Sequence, residues 1–382
     1  MFFEPLIKVF TSLRLTVVCL AFAVLLVFLG TLAQVDLGLY KAQNEFFRSF
    51  FVFWGPKNAD WKIPVLPGGY LVGGVLLINL IASHVMRFKL TRAKAGIWMV
   101  HFGLILLLLG QLGTDLLSRE STLHLRNGEA RNYSEADRQA ELAVIDATDR
   151  DTDKVVAIPQ ALLMHKKEIR NDELPFTVRI QKFYVNSVVE DRPADATGAP
   201  PASEGIGPRA VVKELPRVTE MNVRDVPSAV VEIQTPEKSL GSWLVSEYID
   251  KPQLFSYNNH TYKLELRPRR YYNPFTIRLL EFRHDVYAGT DTPKNFSSRV
   301  QLLQPETGEN REVKIYMNNP LRYAGQTFYQ ASYDPDDHGT ILQVVHNPSW
   351  LTPYFSCILV GAGLVVQFMT HLFGFSFKRR TA

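Results

Sequence analysis

His101 is the residue of this chain whose type and position carry the clearest chemistry. It lies in an otherwise uncharged apolar run, Ala95 to Leu112, that is long enough to cross a bilayer as a helix. An imidazole can take up a proton or coordinate a metal, and such a group is costly in hydrocarbon. A histidine inside a membrane span therefore marks a functional site by default.

The residues around His101 indicate which way its side chain points. Gly96, Gly103 and Gly110 recur at seven-residue spacing, which places small residues on one side of a helix and lets another backbone approach closely. His101 is two residues from Gly103, about 200° around the helix at about 100° per residue, so it faces away from the glycines. Large apolar side chains on that face suit an axial ligand of haem iron. The alternative is that His101 hydrogen-bonds a neighbouring helix.

Other parts of the sequence carry less chemistry. The run from Asp334 to Asp337 lacks the glycine and closing glutamate of a calcium loop and is typical of a hairpin turn. No nucleophile motif, phosphate-binding loop or dinucleotide fingerprint is present, so no catalytic residue is assigned. Further histidines without metal-ligand spacing are predicted to be surface or hydrogen-bonded residues: His124, His165, His260, His284, His338, His346 and His371.

Four apolar segments are long enough to position such a histidine inside a membrane. The near-zero mean hydropathy of −0.04 averages these segments with a long polar stretch between the third and the fourth. The first segment exceeds the apolar core of a signal peptide and no clear cleavage site follows it, so we expect it to be retained. The predicted spans are Leu15–Val35, Gly69–Met86, Ala95–Leu112 and Trp350–Phe373.

Basic residues near the span ends predict the orientation in the membrane. The loop from Arg87 to Lys94 is basic and contains no acid, which places it in the cytoplasm. Residues 1–14 and 374–382 are then cytoplasmic too, whereas the loop 36–68 and the large segment 113–349 are external. The expected location is the inner (cytoplasmic) membrane. The net charge of +4 is modest and gives no case for nucleic-acid binding.

The external segment is predicted to be a β-rich domain, an antiparallel sandwich or barrel-like sheet. Both cysteines, Cys19 and Cys357, lie in predicted spans, so this domain has neither a disulfide nor a cysteine-ligated metal. The predicted fold class is thus an α-helical integral membrane protein with a large extracytoplasmic β-rich domain. The predicted strands are Phe176–Val188, Ala229–Gln234, Gly241–Ile249, Tyr262–Leu266, Phe275–Tyr287, Arg299–Leu303, Val313–Met317, Thr327–Ser332 and Ile341–Val345.

Two segments have compositions unlike those of spans or strands. Tyr40–Trp54 is rich in aromatic residues but too charged to span, and it predicts a helix in the outer membrane interface. A wall for a flat apolar ligand or for a partner's helices is the alternative. Residues 190–207, rich in Pro, Ala, Gly and Ser, are predicted to be a linker that divides the external domain into two lobes.

Several separated motifs of the chain resemble the ResB (CcsB) family of cytochrome c biogenesis proteins. The resemblance covers nearly the whole chain, including the arrangement of three helices, a large outer domain and a fourth helix. The motifs are the run from Lys94 to Leu104 and on to Gly110, Leu125-Arg126-Asn127-Gly128-Glu129, Tyr271-Tyr272-Asn273-Pro274-Phe275, Tyr287 to Pro293, Phe296-Ser297-Ser298 and the run from Asn319 to Tyr333.

The resemblance implies a role in the System II pathway, which moves haem to the outer face and attaches it to apocytochrome c. It implies a partner, the ResC or CcsA membrane subunit, which carries a tryptophan-rich motif that we do not find in this sequence. We therefore expect this chain to be the ResB part alone, a non-catalytic or co-catalytic subunit of the synthase. His101 resembles the family's membrane histidine, an axial ligand of a transiently bound haem b.

His84, near the inner end of the second span, is a weaker candidate ligand because a histidine there can also reach headgroups or water. Two further function classes stay open. A scaffold would support a partner without binding haem, and a transporter would have its own substrate path. The sequence contains no inverted repeat of broken helices, which disfavours a transporter.

Overall fold

A computed structural model of the chain describes residues 3–56, 61–87, 91, 94–193, 195, 197–220, 223–289 and 293–380. The chain divides into two compact units. A helical unit comprises Met1–Arg119, Thr219–Met221 and His346–Ala382, and a sheet domain comprises Glu120–Val218 and Asn222–Val345.

Four helices of the helical unit are long and apolar enough to cross a membrane, as predicted. The third extends five residues beyond the predicted end at Leu112, and the fourth begins two residues after Trp350. Residues 88–90, 92 and 93 of the predicted basic loop lie outside the described residues. The helices outside the sheet domain are α1 (Phe3–Phe10), α2 (Leu13–Leu37), α3 (Leu39–Ala42), α4 (Gly69–Arg87), α5 (Ala95–Leu117) and α7 (Thr352–Arg380).

The glycines of α5 form a close contact with α7. A Cβ atom at Gly96 would lie 2.6 Å from the carbonyl oxygen of Gly363, and one at Gly103 would lie 2.6 Å from a methyl group of Val360. Gly110 is similarly close to Thr352. Because nothing larger than hydrogen fits at these positions, the predicted glycine face is confirmed as the surface on which a second helix packs.

The segment between α2 and α4 differs from its prediction. Only its first part is helical, in α3 and a π-helical turn, Gln43–Phe47. The rest forms an antiparallel hairpin of β1 (Phe51–Trp54) and β2 (Ile63–Pro67), in which Val52 lies opposite Leu66. The prediction of one interfacial helix over Tyr40–Trp54 was therefore wrong beyond Phe47. The aromatic residues and Val52 of β1, and Ile63 and Val65 of β2, are residue types that favour strand pairing.

The sheet domain consists almost wholly of antiparallel strands. The strands are β3 (Arg119–Arg126), β4 (Ala130–Asp146), β5 (Lys154–Pro159), β6 (Glu168–Ile169), β7 (Thr177–Tyr184), β8 (Ser187–Asp191), β9 (Ala210–Glu214), β10 (Ser228–Gln234), β11 (Ser239–Ser246), β12 (Gln253–Tyr257), β13 (His260–Val286), β14 (Pro293–Gln304), β15 (Glu309–Tyr316), β16 (Leu321–Tyr323), β17 (Gln326–Tyr333) and β18 (Gly339–His346), with the helix α6 (Gln160–His165) and a 3₁₀ turn, Gly207–Arg209. One sheet has the order β15-β14-β13-β4-β3-β18-β17-β16, with β12 beside β13 and β5 beside β4. A second has the order β11-β10-β7-β6, and β8 pairs with β9.

The predicted β-rich architecture is confirmed, with differences in individual strands. The predicted strands Tyr262–Leu266 and Phe275–Tyr287 are parts of the single strand β13. Its register on β4 shifts between Pro268 and Arg270 and again between Tyr272 and Ile277, so bulges accommodate Pro268 and Pro274 within the strand. The long strand β4 was not predicted, because most of its first half is polar.

Among the described residues, the sheet domain has three hydrophobic clusters, and β13 contributes to the two largest. Tyr262 and Leu264 belong to one core, whereas Phe275 and Ile277 belong to the other. The predicted division at residues 190–207 was wrong in two respects. The boundary between the cores lies within β13, and part of the supposed linker is packed, with Ala202 only 4% exposed in a cluster with the sheet.

Candidate functional site

The two histidines predicted as alternative haem ligands lie side by side. His84 of α4 and His101 of α5 have ring centroids 4.7 Å apart, with planes inclined by 70°. Trp98, one turn before His101, meets the His84 ring edge-on at 4.8 Å. His84 is only 4% exposed. The sequence placed each ring on its own helix, and the structure brings the two rings together.

His84 is held in one tautomer by its own helix. Its Nδ1 atom lies 3.0 Å from the carbonyl oxygen of Leu80, one turn earlier in α4. Because a carbonyl can only accept, Nδ1 carries the proton and Nε2 has the lone pair. Histidines that bind metals are commonly oriented in this way, by a hydrogen bond from the ring nitrogen that does not bind.

The two sides of α5 position the rings. Its glycines lie against α7 over most of the helix, whereas α4 contacts α5 through the ring of His84 near one end and through Tyr70 near the other. His101 therefore projects into the α4–α5 seam, defined here by His84, Trp98 and His101. The prediction that His101 faces away from the glycine side is confirmed.

Trp98 adds a polar atom to this seam. Its indole nitrogen is buried and has no hydrogen-bond partner among the residues that the structure describes. A buried N–H without an acceptor is uncommon in folded proteins, because desolvation costs about 1–3 kcal/mol that no hydrogen bond offsets. The seam thus presents an unused donor beside two imidazoles.

The donor set fits haem better than a metal ion held by protein alone. No group of three or more His, Cys, Asp or Glu side chains that could hold a metal exists among the described residues. A structural zinc site needs about four protein ligands. Haem brings four nitrogens of its own and needs only one or two axial side chains, which an imidazole supplies.

The geometry limits how the two rings could act on one iron. A metal held between two imidazoles, with bonds of about 2 Å, puts the ring centroids about 6 Å apart. The observed 4.7 Å separation leaves no room for a porphyrin between His84 and His101. In this arrangement at most one of the two rings can ligate, and His84 covers part of the His101 ring.

A second polar cluster lies near the other end of the same helices. Asp115 of α5, with a side chain 11% exposed, accepts a hydrogen bond from Tyr70 of α4 and lies 2.8 Å from the guanidinium of Arg48. Sequence reasoning missed this cluster. An acidic residue just beyond an apolar run was the available signal, because a carboxylate at that depth needs a partner.

Histidines of the sheet domain are engaged in ion pairs and ring contacts, in agreement with their prediction as surface or hydrogen-bonded residues. The turn from Asp334 to Gly339 joins β17 to β18, as predicted for a hairpin. His124 pairs with Asp334 at 2.9 Å, His260 with Asp146 at 2.7 Å and His284 with Asp337 at 3.2 Å.

Comparison with known proteins gives two matches. Residues 253–341, from β12 into β18, match the sequence model of the ResB-like family. The chain is also 25% identical over 295 residues to Protein NrfI of Wolinella succinogenes. That alignment covers 76% of this chain and 29% of NrfI, so the chain spans less than a third of the length of this relative. The matched part of the sheet domain, which contains the motifs from Tyr271 to Tyr333, is thus similar to the ResB-like family.

Proposed function

We propose that this chain acts in cytochrome c maturation, as a ResB-type membrane subunit that assists haem delivery and covalent haem attachment to apocytochrome c. The ResB-like region supports the pathway. The observation that carries the proposal is the pair of imidazoles, His84 and His101, in a seam between apolar helices.

His101 is proposed as an axial ligand of haem b at a site within the membrane. It projects from α5 on the side opposite the glycines, and the apolar side chains around it suit the faces of a macrocycle. Haem, when bound, supplies the iron that accepts the imidazole and the vinyl groups that react with the thiols of apocytochrome c. His101 itself holds and orients the cofactor, and no covalent step is assigned to this chain.

His84 has a different proposed role. Because the His84 ring lies too close to His101 to share an iron with it, His84 covers His101 before haem binds and must move aside. The second axial ligand would then come from a ResC or CcsA partner. His84 remains the weaker candidate as a ligand, with its Nε2 lone pair set by the bond to Leu80.

The proposed location is the inner membrane, with both chain termini in the cytoplasm and the sheet domain outside. Lys8 and Arg14 flank the start of α2, and the basic segment from Arg87 to Lys94 lies between α4 and α5. The positive-inside rule assigns these to the cytoplasmic side. The sheet domain would then meet apocytochrome c on the outer face.

A scaffold that binds a partner without haem is the second candidate. The contact between the His84 and His101 rings favours it, because two imidazoles in contact can also serve only to join α4 to α5. The scaffold and the haem-binding subunit differ in one observable, the presence of haem in the assembled complex.

The test is a visible spectrum of the full chain purified with its ResC or CcsA partner. We expect a Soret band that stays with the intact complex through size-exclusion chromatography. A folded, intact complex without a Soret band would exclude the haem-binding role and leave the scaffold. A reporter fused after Lys94 and one inserted within residues 197–201 test the orientation, because the first is expected inside and the second outside.

A further inference from the structure

The β1–β2 hairpin is hydrogen-bonded to the start of α4, directly after the segment 36–68 that contains the hairpin. The backbone N–H of Gly68 donates to the carbonyl of Phe50 at 2.8 Å, and that of Tyr70 donates to the carbonyl of Ser49 at 3.1 Å. The rings of Phe50 and Tyr70 are 5.8 Å apart. The base of the hairpin is thus fixed to the first turn of a candidate membrane span.

One face of the hairpin packs on the membrane helices. Val52 is 5% exposed and lies opposite Leu66 in the strand register. Both belong to a hydrophobic cluster that includes Leu26 of α2 and Val72 of α4. The hairpin therefore packs against α2 and against the first turn of α4, and does not stand clear of them.

The other face is apolar and open. Because side chains alternate along a strand, Phe51 beside Val52 and Val65 beside Leu66 point away from the helices. Beyond the register shift between Val52 and Phe53, both Phe53 and Trp54 are exposed. In segments 49–56 and 61–69, Lys62 carries the only charge. The open side chains are each roughly half exposed: Phe51 46%, Phe53 53%, Trp54 59%, Trp61 55%, Ile63 48% and Val65 46%.

We infer that this open face is buried in lipid, in the interfacial layer of the leaflet at the β1–β2 end of the helices. The face continues the lipid-facing surface of α2 and α4, because the opposite face of the same hairpin packs on those helices. Trp54 and Trp61 lie at the free end of the arms, and indole rings concentrate at membrane interfaces. The aliphatic stem of Lys62 can lie along the apolar face while its ammonium reaches the headgroups.

The large apolar side chains on the open face of the hairpin disfavour its exposure to water. Soluble surfaces rarely expose a contiguous apolar patch of this kind unless it is a binding site. A partner polypeptide could cover the same face, but it would have to replace lipid over a surface that is continuous with the spans. The position of the hairpin therefore favours lipid as the partner of its open face.

Indole fluorescence tests the inference on the full chain in phosphatidylcholine vesicles. The chain has five tryptophans, so the signal of the hairpin is the difference between the wild type and the double variant Trp54→Phe, Trp61→Phe. Phosphatidylcholine brominated at the 6 and 7 positions of one acyl chain quenches indoles within the lipid, and aqueous iodide quenches indoles in water. We expect bromine to reduce the difference signal roughly twofold or more, with little effect of iodide, for side chains buried about 5–10 Å into the interface.

Two controls keep the outcome decisive. Trp243→Phe removes an indole that is 4% exposed in the sheet domain, so it should leave the bromine-quenched component unchanged. Phe53→Trp in the double variant returns one indole to the open face and should restore that component. Iodide quenching equal to or stronger than bromine quenching would place the hairpin in water, and quenching by neither reagent would place it against protein, such as a second copy of the chain. Either result overturns the inference.

Discussion

The third membrane helix, α5, contacts its two neighbours in opposite ways. Toward α7 it presents Gly96, Gly103 and Gly110, and the two backbones approach until a single methyl group would clash. Toward α4 it presents Trp98 and His101, whose rings contact His84, and near its other end Asp115, which accepts a hydrogen bond from Tyr70. One face of α5 therefore packs tightly against the backbone of α7, and the other contacts α4 through ring side chains that are less tightly constrained.

This difference separates the residues that hold the helix in place from the residues that can bind something. Helix association in lipid depends on close packing of small residues, because burial of apolar surface gains little there. The glycine face can supply that stability, so the opposite face is free to carry polar groups that pack poorly. We expect substitutions on the two faces to affect stability and haem content separately.

The largest expected effect is on the glycine face. In Gly96→Val, the new Cβ would lie 2.6 Å from backbone atoms of Gly363 and Gln367, and neither can move aside as a side-chain end could. We expect the α5–α7 contact to be destabilised by about 3 kcal/mol. The detergent-solubilised full chain is heated, and size-exclusion chromatography measures how much of it stays soluble. The temperature at which solubility is lost gives the shift in melting temperature.

Gly361→Ala is the matched control for Gly96→Val. Gly361 lies in the same helix contact pair, in α7, but an added Cβ there would meet no atom within 4 Å. Alanine favours the helix over glycine by up to about 1 kcal/mol, so this variant should be as stable as the wild type or more so. Equal melting temperatures for Gly96→Val and Gly361→Ala would contradict the conclusion that the glycine face holds α5 against α7.

The next effect is on the seam, in the proposed haem complex. His101→Ala should leave the protein inserted, because alanine removes a polar group from an apolar environment. It should lower haem that co-purifies with the chain and its partner roughly tenfold or more, a loss of the size seen when metal sites lose supporting residues. The Soret absorbance per protein and the yield of cytochrome c measure the effect.

Added imidazole and a second variant sharpen this result. Free imidazole can occupy the position vacated by the side chain, so it should restore part of both the absorbance and the yield in His101→Ala. His84→Ala should cause a smaller loss, because His84 covers His101 in the proposed arrangement and does not ligate. Wild-type haem content and spectrum in a normally assembled His101→Ala complex would leave His101 as a histidine that joins two helices.

The sequence predicted those features of the site that depend on one helix at a time. The seven-residue glycine spacing and the position of His101 two residues from Gly103 determine the two faces of α5, and the structure confirms them. The approach of His84 to His101 depends on how α4 is placed against α5. A helical period contains no information about that placement, so the two residues were treated as rivals.

The same limit explains the errors outside the site. The hairpin of β1 and β2 needs pairing between two separate segments, such as Trp54 with Ile63, and aromatic composition alone suggested an interfacial helix. Strand β4 was missed because its polar first half gives no apolar run, although its second half is buried. Pairing partners, and not local composition, decide both elements.

Buried charges in the sheet domain show a second contrast, between a group with two opposite charges beside it and a group with one. Arg267, with a side chain 5% exposed, lies 3.1 Å from a carboxylate oxygen of Glu141 and 3.1 Å from one of Glu265. Glu247, with a side chain 6% exposed, has Arg224 at 3.3 Å, and the charge of Glu135 opposes its ionisation. Burial raises the pKa of Glu247 from 4.5 to about 7.

The smallest expected effect is the pH dependence that Glu247 confers on the sheet domain. A carboxyl whose pKa is higher in the folded than in the unfolded chain holds more protons when folded, so stability falls as pH rises between the two values. For Glu247 this loss begins near pH 4.5 and is complete above about pH 7. Glu247→Gln removes the titration, so its melting temperature should exceed that of the wild type increasingly from pH 5 to 8. The stability difference should reach at most about 3 kcal/mol, reduced by the weaker interaction of an amide with Arg224.

Glu237→Gln, at an exposed turn, is the matched control and should show no such trend. Scanning fluorimetry of the full chain across this pH range measures all three proteins. A difference between Glu247→Gln and the wild type that stays constant with pH would show that Glu247 is ionised throughout, and the ion pair with Arg224 would then be as effective as the pairing of Arg267.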